Sequence, residues 1–315
     1  MRLITYNHPA TGNSSRAGVL QGDRILDVNG LTEGKVNSDM LRILDHWDES
    51  HPVVAAAAET FAREFEDVPQ VPTNVAVPVW EATLGPPLPE PRSFRDFYAF
   101  EQHVAAGFAK RDRPVPDAWY ETPVFYFGNH GSFVGPDQPV AKPESTRELD
   151  FEMEIAAVIG RGGRDIESSS AFNHIAGFCL LNDWSARDVQ RRETSVGLGP
   201  AKGKDFATSL GPWMVTVDEL ADVLVDGRLN LDVAVRINGD QVGESNVRSM
   251  HWSFGDLIAT ASRDADLRPG DVLASGTMPS GCLLELGSEV HPWLDHDDEV
   301  EIESARLGRL RNRIV

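Results

Sequence analysis

Cysteine is almost missing from this chain of 315 residues, which has only two. Cys179 and Cys282 both lie in apolar runs, so we expect buried, reduced thiols in a cytoplasmic protein rather than a disulfide. No stretch approaches the roughly 18 uninterrupted apolar residues of a membrane span, and the first residues lack the apolar core of a signal peptide. The sequence therefore predicts neither a membrane-spanning helix nor a secretory leader.

Positive charge is also in short supply, with 29 Lys and Arg residues against 49 Asp and Glu residues and a formal net charge of −20. A chain this acidic repels phosphate backbones and anionic lipids, so we expect no nucleic-acid partner and no membrane partner. If the protein acts on an acidic small molecule, its site needs a local cationic group or a bound metal.

Familiar nucleotide and hydrolase motifs are lacking as well. The glycine-rich run 197–204 has the wrong spacing for a phosphate loop, and Asp205 stands where a Ser or Thr would hold magnesium. There is no Gly-x-Ser-x-Gly elbow and no His-Glu-x-x-His pair. These absences disfavour nucleotide-binding, serine-hydrolase and zincin functions.

The patterns that are present divide the chain into three parts. Residues 2–6 and 17–28 have the pattern of short strands, and residues 38–66 have that of helices. A tract that can form neither a helix interior nor a central strand follows, with Pro69, Pro72, Pro78, Pro86, Pro87, Pro89 and Pro91. We therefore predict a small N-terminal domain (1–80), a linker (81–92) and a larger domain (93–315).

The larger region contains many short strands and few long helices. Residues 230–237 alternate apolar and polar side chains, and Asn238-Gly239 is a strong hairpin signal. Further segments have the pattern of one helix (252–262) and of strands (272–274, 299–302 and 307–315). This pattern predicts an α+β, β-rich fold, a barrel or sandwich with helices on its flanks.

Two carboxylates in the segment 149–160 give the first indication of a functional site. Its second half has the composition of a buried strand, in which Glu152 and Glu154 point to the same face. Two like charges buried together need a cation between them, and oxygen ligands suit magnesium, calcium or manganese. The alternative is a solvent-exposed acidic face at the start of a strand.

Asp183 follows the apolar strand 175–181 and is a third candidate ligand. If residues 183–190 are helical, Asp183, Arg187 and Gln190 share one face. The alternative is an N-cap aspartate with an ordinary ion pair.

Asp96 and His103 are seven residues apart, which is two helical turns and places them on one face if the segment is helical. With nine histidines in the chain, spacing alone does not single out His103.

Taken together, these segments resemble the fumarylacetoacetate hydrolase family. The matching stretches occur in the family's order across roughly 92–315 and are 95–103, 148–154, 181–190, 197–204, 250–252, 267–271 and 275–286. Residues 181–188, Leu-Asn-Asp-Trp-Ser-Ala-Arg-Asp, and the Glu-x-Glu strand are the most specific. The first 80 residues are similar to the family's small, variable N-terminal domain. The resemblance implies a mixed β-roll or barrel with flanking helices in the C-terminal domain, and a homodimer.

The resemblance also implies roles for individual residues. The metal ligands would be Asp96, Glu152, Glu154 and Asp183. His103 would be the general base, oriented by Glu285, while an oxyanion would be stabilised by Arg187, Gln190 and Lys204. The substrate would be contacted by Tyr98, Asn129 and Thr277. Asn129 departs from the family, because true fumarylacetoacetases carry a Tyr there, which puts fumarylacetoacetate itself in question as substrate.

The implied reaction is metal-dependent hydrolysis of a C–C bond in a small 1,3-diketo acid, with magnesium as the first choice of ion and calcium or manganese as alternatives. A 1,3-dicarbonyl can chelate such an ion, and His103 would deprotonate the attacking water. Isomerases, decarboxylases and hydratases of oxo acids use the same type of site, and a non-catalytic dicarboxylate-binding protein is a further alternative. We also expect a mobile lid within 99–130, hinged at 105–107.

Overall fold

A computed structural model describes residues 1–9, 12–65 and 71–315. The strands are β1 (Arg2–Asn7), β2 (Arg16–Gln21), β3 (Arg24–Asp27), β4 (Ala76–Pro78), β5 (Thr83–Gly85), β6 (Ser93–Phe97), β7 (Phe125–Gly128), β8 (Phe133–Val134), β9 (Leu149–Asp150), β10 (Met153–Ile159), β11 (Ile175–Asp183), β12 (Ser185–Ala186), β13 (Thr208–Thr216), β14 (Leu224–Val225), β15 (Arg228–Leu229), β16 (Asp232–Ile237), β17 (Asp240–Asn246), β18 (Asp271–Ala274), β19 (Glu299–Ser304) and β20 (Gly308–Arg313). The helices are α1 (Val28–Leu31), α2 (Met40–Asp45), α3 (Trp47–Phe65), α4 (Glu101–Ala109), α5 (Asp117–Glu121), α6 (Arg187–Thr194), α7 (Phe254–Ser262) and α8 (Leu283–Leu286).

A sheet of 12 strands organises the molecule. Ten of them follow in the order β4-β3-β2-β1-β13-β11-β10-β18-β6-β7, while β5 pairs with β1 and β8 pairs with β13. Most neighbours are antiparallel, but β18 and β6 are parallel, as are β13 and β8. The sheet is therefore mixed, and the predicted α+β, β-rich class is confirmed.

The two central strands are buried on both faces. Every residue of β10 and of β11 is buried, which suits their nearly continuous apolar sequences. Side chains alternate between two cores, so that Ile155 and Ala157 pack on one face of the sheet and Ala156 and Val158 on the other. Because packing fixes both faces, the polar residues at the ends of these strands are held in place.

A second sheet of four strands, in the order β17-β16-β19-β20, covers one of these cores. The turn between β16 and β17 has Asn238 at φ 53° and Gly239 at φ 91°. Two positive φ angles are what a two-residue hairpin turn requires, so the predicted hairpin is confirmed. The strands predicted at 272–274, 299–302 and 307–315 are present within a few residues as β18, β19 and β20.

The N-terminal residues are joined to the rest of the protein by main-chain pairing. β1 pairs with β13, with Arg2 opposite Val215, and β5 pairs with β1. β5 lies within the proline-rich segment predicted as a linker, so part of that segment is sheet. The predicted division at residues 80 and 92 stays a prediction. Pro69 lies outside the described residues.

The helical pattern of residues 38–66 is present as α2 and α3, which are separated at His46. Residue 66 is outside the described range. α2 is buried through Met40, Ile43 and Leu44, which pack in the core of the N-terminal strands. In the described parts of the chain, no helix is both long and apolar enough to cross a membrane.

One buried aspartate ties the N-terminal elements together. Asp27, at the end of β3, caps α1 by accepting a hydrogen bond from the backbone N–H of Gly30 at 2.8 Å. It also accepts from the hydroxyl of Tyr6 at 2.8 Å and from Arg16 Nε at 2.6 Å. Burial alone would raise the pKa of Asp27, but these hydrogen bonds and the charge of Arg16 hold it below its usual value.

Candidate metal centre and active site

A cavity of about 310 Å³ opens at one edge of the large sheet. The pairing of Met153 with Asn182 brings the start of β10 and the end of β11 to this edge. The end of β18 pairs with β10 on one side and with Asp96 of β6 on the other. Residues at the ends of four strands therefore lie together at the cavity.

Three carboxylates meet there. One oxygen from each of Asp96, Glu152 and Glu154 lies within 4.8 Å of the other two, and all three residues are buried. Asp183 is outside this trio but is fully buried at the end of β11. Lys204 connects them, because its Nζ donates to Glu152 Oε2 and to Asp183 Oδ2, both at 2.5 Å.

The cations do not balance the buried carboxylates. Lys204 and Arg187 are buried, and Arg187 Nη1 lies 2.7 Å from Glu152 Oε1. Burial would raise the pKa of Glu152, but the charges of Lys204 and Arg187 hold it at about 2. The pKa of Asp96 is well above its usual value, because of burial and then the charge of Asp183. Burial, followed by the charge of Asp96, also raises the pKa of Glu154.

Three carboxylate oxygens of these residues have no hydrogen-bond partner among the described residues. They are Oδ1 of Asp96, Oε1 of Glu154 and Oδ1 of Asp183, and each is buried. Buried acceptors of this kind are unfavourable unless something binds them. Hard oxygen donors with an excess of negative charge suit a divalent cation such as magnesium, manganese or calcium. The residues present therefore fit a metal ion of this class.

Glu154 is oriented by the chain that follows β18. Its Oε2 accepts a hydrogen bond from the backbone N–H of Gly276 at 3.1 Å, which leaves Oε1 for the centre. Gly276 has φ 80°, and a Cβ there would lie 2.3 Å from the carbonyl oxygen of Phe97. Only glycine allows the backbone to approach this closely.

A histidine and a glutamate form a pair on the wall of the same cavity. His103 Nδ1 lies 2.8 Å from Glu285 Oε2, and Glu285 Oε1 accepts from the backbone N–H of Ser280 at 3.0 Å. Although burial opposes the shift, the bond to His103 lowers the pKa of Glu285. Glu285 is therefore an ionised carboxylate that can fix the tautomer of the imidazole.

Two sequence arguments for a shared helix face are wrong. Asp96 lies on strand β6, whereas His103 lies on α4, which begins only at Glu101. Asp183 is the last residue of β11, and the next helix begins at Arg187. In both cases the side chains reach the centre because a strand ends beside a helix start. Asp183 is also no N-cap, since Ala186 holds that position.

The three residues expected to stabilise an oxyanion are together. Arg187, Gln190 and Lys204 all line the cavity. Arg187 Nη1 donates to Gln190 Oε1 at 3.1 Å, while Nη2 is buried and has no partner among the described residues. A charged donor is therefore available in the centre.

The expected substrate contacts divide into two groups. Tyr98 and Thr277 line the cavity. Asn129 does not, because its side chain is exposed and its amide donates to Ser132 Oγ at 2.6 Å and to the carbonyl of Asp205 at 2.9 Å. In this structure Asn129 stabilises a turn, so the geometry does not support the predicted substrate contact.

Sequence reasoning missed two residues of the centre. Tyr126 on β7 lines the cavity and donates to Asp183 Oδ2 at 2.6 Å. Asp150 is fully buried and accepts from Arg187 Nε at 2.8 Å and from the first two backbone N–H groups of α8, at 2.7 and 3.0 Å. It thus positions Arg187 and the helix of Glu285 at once. The spacing of Asp150 from Glu152 was a signal for Asp150, although the structure interrupts the predicted strand at residues 151–152. Nothing in the sequence marked Tyr126.

The segment predicted as a lid forms one side of the cavity. Residues 105–107 lie inside α4, so the structure has no loop at the predicted hinge, and the irregular chain comes later, around 110–116. Lys110 donates to the backbone carbonyl of Leu284 on α8. Movement of this segment stays a prediction.

A family model for the C-terminal region of fumarylacetoacetate hydrolases matches residues 92–315. The chain belongs to the fumarylacetoacetate hydrolase family. A fumarylacetoacetase from Oryza sativa subsp. japonica is 29% identical over 301 residues, which cover 76% of this chain and 68% of that protein. A human mitochondrial oxaloacetate tautomerase is 36% identical over 204 residues, which cover 64% of this chain and 60% of the human protein. The aligned part of the chain thus spans less than two thirds of the human relative.

The fold of the family extends over the whole chain. Maleylpyruvate hydrolase from Sphingobium sp. SYK-6, solved with manganese(II) and pyruvate, superimposes with a TM-score of 0.73 and covers 100% of this chain and 99% of its own, at 23% identity. Members of the fumarylacetoacetate hydrolase family are enzymes, and the relatives named here include hydrolases and a tautomerase. Family membership therefore covers more than one reaction.

Proposed function

We propose that this member of the family is a metal-dependent hydrolase that cleaves a C–C bond in a small 1,3-diketo acid of the acylpyruvate type. The observation that carries the proposal is the His103–Glu285 pair, at 2.8 Å, on the wall of the cavity that holds the buried carboxylates. Keto–enol exchange needs only proton transfers on the substrate. Hydrolysis additionally needs a base for water, and a histidine fixed by a carboxylate is suited to that task.

The ion would be magnesium, with manganese and calcium as alternatives, held by Asp96, Glu152, Glu154 and Asp183. Support comes from the unpartnered oxygens of three of these residues and from the manganese in the Sphingobium relative. When bound, the ion would polarise the carbonyl oxygens of the diketo acid and neutralise the charge of the enolate that leaves.

The protein groups would act in a fixed order. His103 accepts a proton from water while Glu285 stabilises the imidazolium that forms. The hydroxide adds to the carbonyl carbon, and the oxyanion receives hydrogen bonds from Arg187 and Lys204, whose charges are already in place. The C–C bond then breaks to give a carboxylic acid and the enolate of an oxo acid, and the proton on His103 returns to the enolate carbon.

The cavity suits a small anionic molecule. Its volume of about 310 Å³ and the exposed cations Lys110 and Arg111 in its lining support an acidic substrate in an otherwise acidic protein. Tyr98 and Thr277 would contact this substrate. We also propose a homodimer and, because both cysteines are buried and free, a reducing compartment such as the cytoplasm.

A tautomerase or isomerase is the second candidate, favoured by the human oxaloacetate tautomerase among the relatives. The ion held by the same carboxylates would stabilise an enolate in that reaction, together with the charge of Lys204. The candidates differ in their products, because tautomerisation and isomerisation break no C–C bond and release no carboxylic acid.

Product analysis on a panel of substrates tests the proposal. The protein loaded with Mg²⁺ or Mn²⁺ would be offered acylpyruvates, a fumaryl-type diketone and oxaloacetate, before and after thorough chelation. We expect release of a carboxylic acid and pyruvate that stops on chelation and returns with added metal. Release of CO₂ or an isomer alone, or hydrolysis that survives chelation, would replace this proposal with one of its alternatives.

A further inference from the structure

Cys282 brings a sulfur atom to the His103–Glu285 pair. A ring nitrogen of His103, the sulfur of Cys282 and a carboxylate oxygen of Glu285 all lie within 4.8 Å of one another. The proposed hydrolysis uses the imidazole and the carboxylate but not the sulfur. Cys282 is fully buried and is therefore not a surface thiol.

The three side chains are held by elements that are themselves anchored. Cys282 is the residue before α8, and Glu285 follows three positions later on that helix. Asp150 fixes the start of α8 by accepting from its first two backbone N–H groups. Lys110, directly after α4, donates to the carbonyl of Leu284 and so ties the helix of His103 to α8.

The chemistry of this trio differs from that of the carboxylate centre. Thiolate, imidazole and carboxylate are the ligands that zinc prefers, whereas the centre around Glu152 offers oxygen alone. Three protein ligands leave one tetrahedral position for a water molecule. The ion has a route in, because His103 and Glu285 line the cavity.

We propose that Cys282, His103 and Glu285 form a second metal site, selective for Zn²⁺, which inhibits the enzyme when occupied. Binding displaces the thiol proton of Cys282 to solvent and leaves the thiolate as a ligand. The ion takes the nitrogen lone pair of His103, so the imidazole can no longer accept a proton from water. The inhibitory consequence rests on the proposed role of His103, whereas the existence of the site does not.

Co²⁺ is the probe that tests the site without any activity. With Mg²⁺ in excess to occupy the carboxylate centre, Co²⁺ is titrated into the wild type, Cys282→Ala and, as a matched control, Cys179→Ala, whose sulfur is buried on β11. A thiolate bound to Co²⁺ gives a charge-transfer band in the near ultraviolet, and oxygen ligands do not. We expect the band in the wild type and in Cys179→Ala, and its loss in Cys282→Ala; a wild type without the band overturns the proposal.

Zinc inhibition of diketo-acid hydrolysis, expressed relative to each protein's own zinc-free rate, is the second measurement. Cys282→Ala should need at least about tenfold more Zn²⁺ for half inhibition than the wild type, the low end of what losing a metal-supporting group costs. Cys179→Ala should match the wild type. Equal zinc sensitivity of wild type and Cys282→Ala would place the effect at the carboxylates and refute inhibition through Cys282. If no hydrolysis is found at all, the proposed function fails, and the cobalt band still decides whether the site exists.

Discussion

Glu152 is the residue on which the charges of the centre converge. Lys204 and Arg187 pair with both of its oxygens. Burial would raise the pKa of Glu152, but these charges keep it at about 2. Asp96 and Glu154 each have one buried oxygen without a hydrogen-bond partner among the described residues. The centre therefore consists of ion pairs around Glu152 and of carboxylate oxygens that have no partner and are available to a cation. The ion pairs set the positions of the metal ligands.

Tyr126→Phe tests how much the hydrogen bond to Asp183 contributes to metal affinity. The Tyr126 hydroxyl donates to Asp183 Oδ2 at 2.6 Å, so its loss leaves that oxygen with Lys204 as its donor and makes the orientation of Asp183 less fixed. We expect metal affinity to fall by about 10–100-fold, as for other groups that orient ligands, with folding unchanged. A competitive titration of Mg²⁺ and Mn²⁺ measures this.

The matched control for that variant is Tyr120→Phe. Tyr120 also donates its hydroxyl to a carboxylate, that of Glu101, at 2.8 Å, but at an exposed position away from the centre. It should bind metal like the wild type. Wild-type affinity in Tyr126→Phe would show that Asp183 needs no orientation by the tyrosine.

For single residues, the sequence predicts which side chains share a face when they alternate along the same strand. That rule predicts that Glu152 and Glu154 lie together, and they do, although Glu152 lies in the break between β9 and β10 rather than in a strand. Tyr126 and Asp183 come from strands far apart in the chain, so their contact depends on the order of strands in the sheet, which local patterns do not contain. Asn129 shows the converse, because a family position was matched but its side chain turns to a neighbouring loop.

Among the elements, junctions between strands and helices place most of the chemistry. Asp96 is the second-last residue of β6, and the helix of His103 begins at Glu101. Asp183 ends β11, and the helix of Arg187 begins four positions later. Helical periodicity suggested shared faces for both pairs. The spacing of polar residues in a short segment is compatible with both a helix and a strand. Burial of the flanking strand in the sheet determines which of the two forms.

Asp27→Asn tests the junction that binds β1, β2, β3 and α1. Because hydrogen bonds and the charge of Arg16 lower the folded-state pKa of Asp27, its contribution is complete above the unfolded value of about 3.9. That contribution is lost as pH falls through the folded-state pKa. At neutral pH the variant should lose about 3 kcal/mol of unfolding free energy. Denaturant unfolding between neutral pH and about pH 2 should show the gap to wild type closing toward the acid end.

Asp23→Asn is the control, since Asp23 is an exposed turn residue on the same hairpin. It should stay within about 0.5 kcal/mol of the wild type. A gap for Asp27→Asn that does not change with pH would mean that ionisation of Asp27 does not stabilise the junction.

For the whole molecule, one sheet links the residues matched by the family model with those before them. The match begins at residue 92, yet β1 to β5 belong to the same sheet of 12 strands. The pattern of short strands and few long helices predicts the fold class, and the proline-rich tract predicts a linker at 81–92, which stays a prediction. They could not predict that β1 pairs with β13, because pairing across more than 200 residues leaves no local pattern.

The homodimer expected from the family is a prediction for the intact molecule. β7 is at one end of the large sheet and its Phe127 is 66% exposed, so a second copy of the chain could cover this edge strand. We expect light scattering to give about twice the chain mass of 34.6 kDa. A mass near that of one chain at micromolar concentration would contradict the dimer.

Replacement of His103 tests whether this residue is the base for hydrolysis. Wild type, His103→Ala and Glu285→Gln are compared on an acylpyruvate, with NMR following both the released carboxylic acid and keto–enol exchange, and with bound metal measured beside them. We predict that His103→Ala keeps its metal and its fold but hydrolyses about 10²–10⁴-fold more slowly, and that Glu285→Gln loses less, because it orients the base without being it. Hydrolysis at the wild-type rate in His103→Ala would contradict the role of His103 as the base. A wild type that only exchanges keto and enol forms would contradict the proposed hydrolysis.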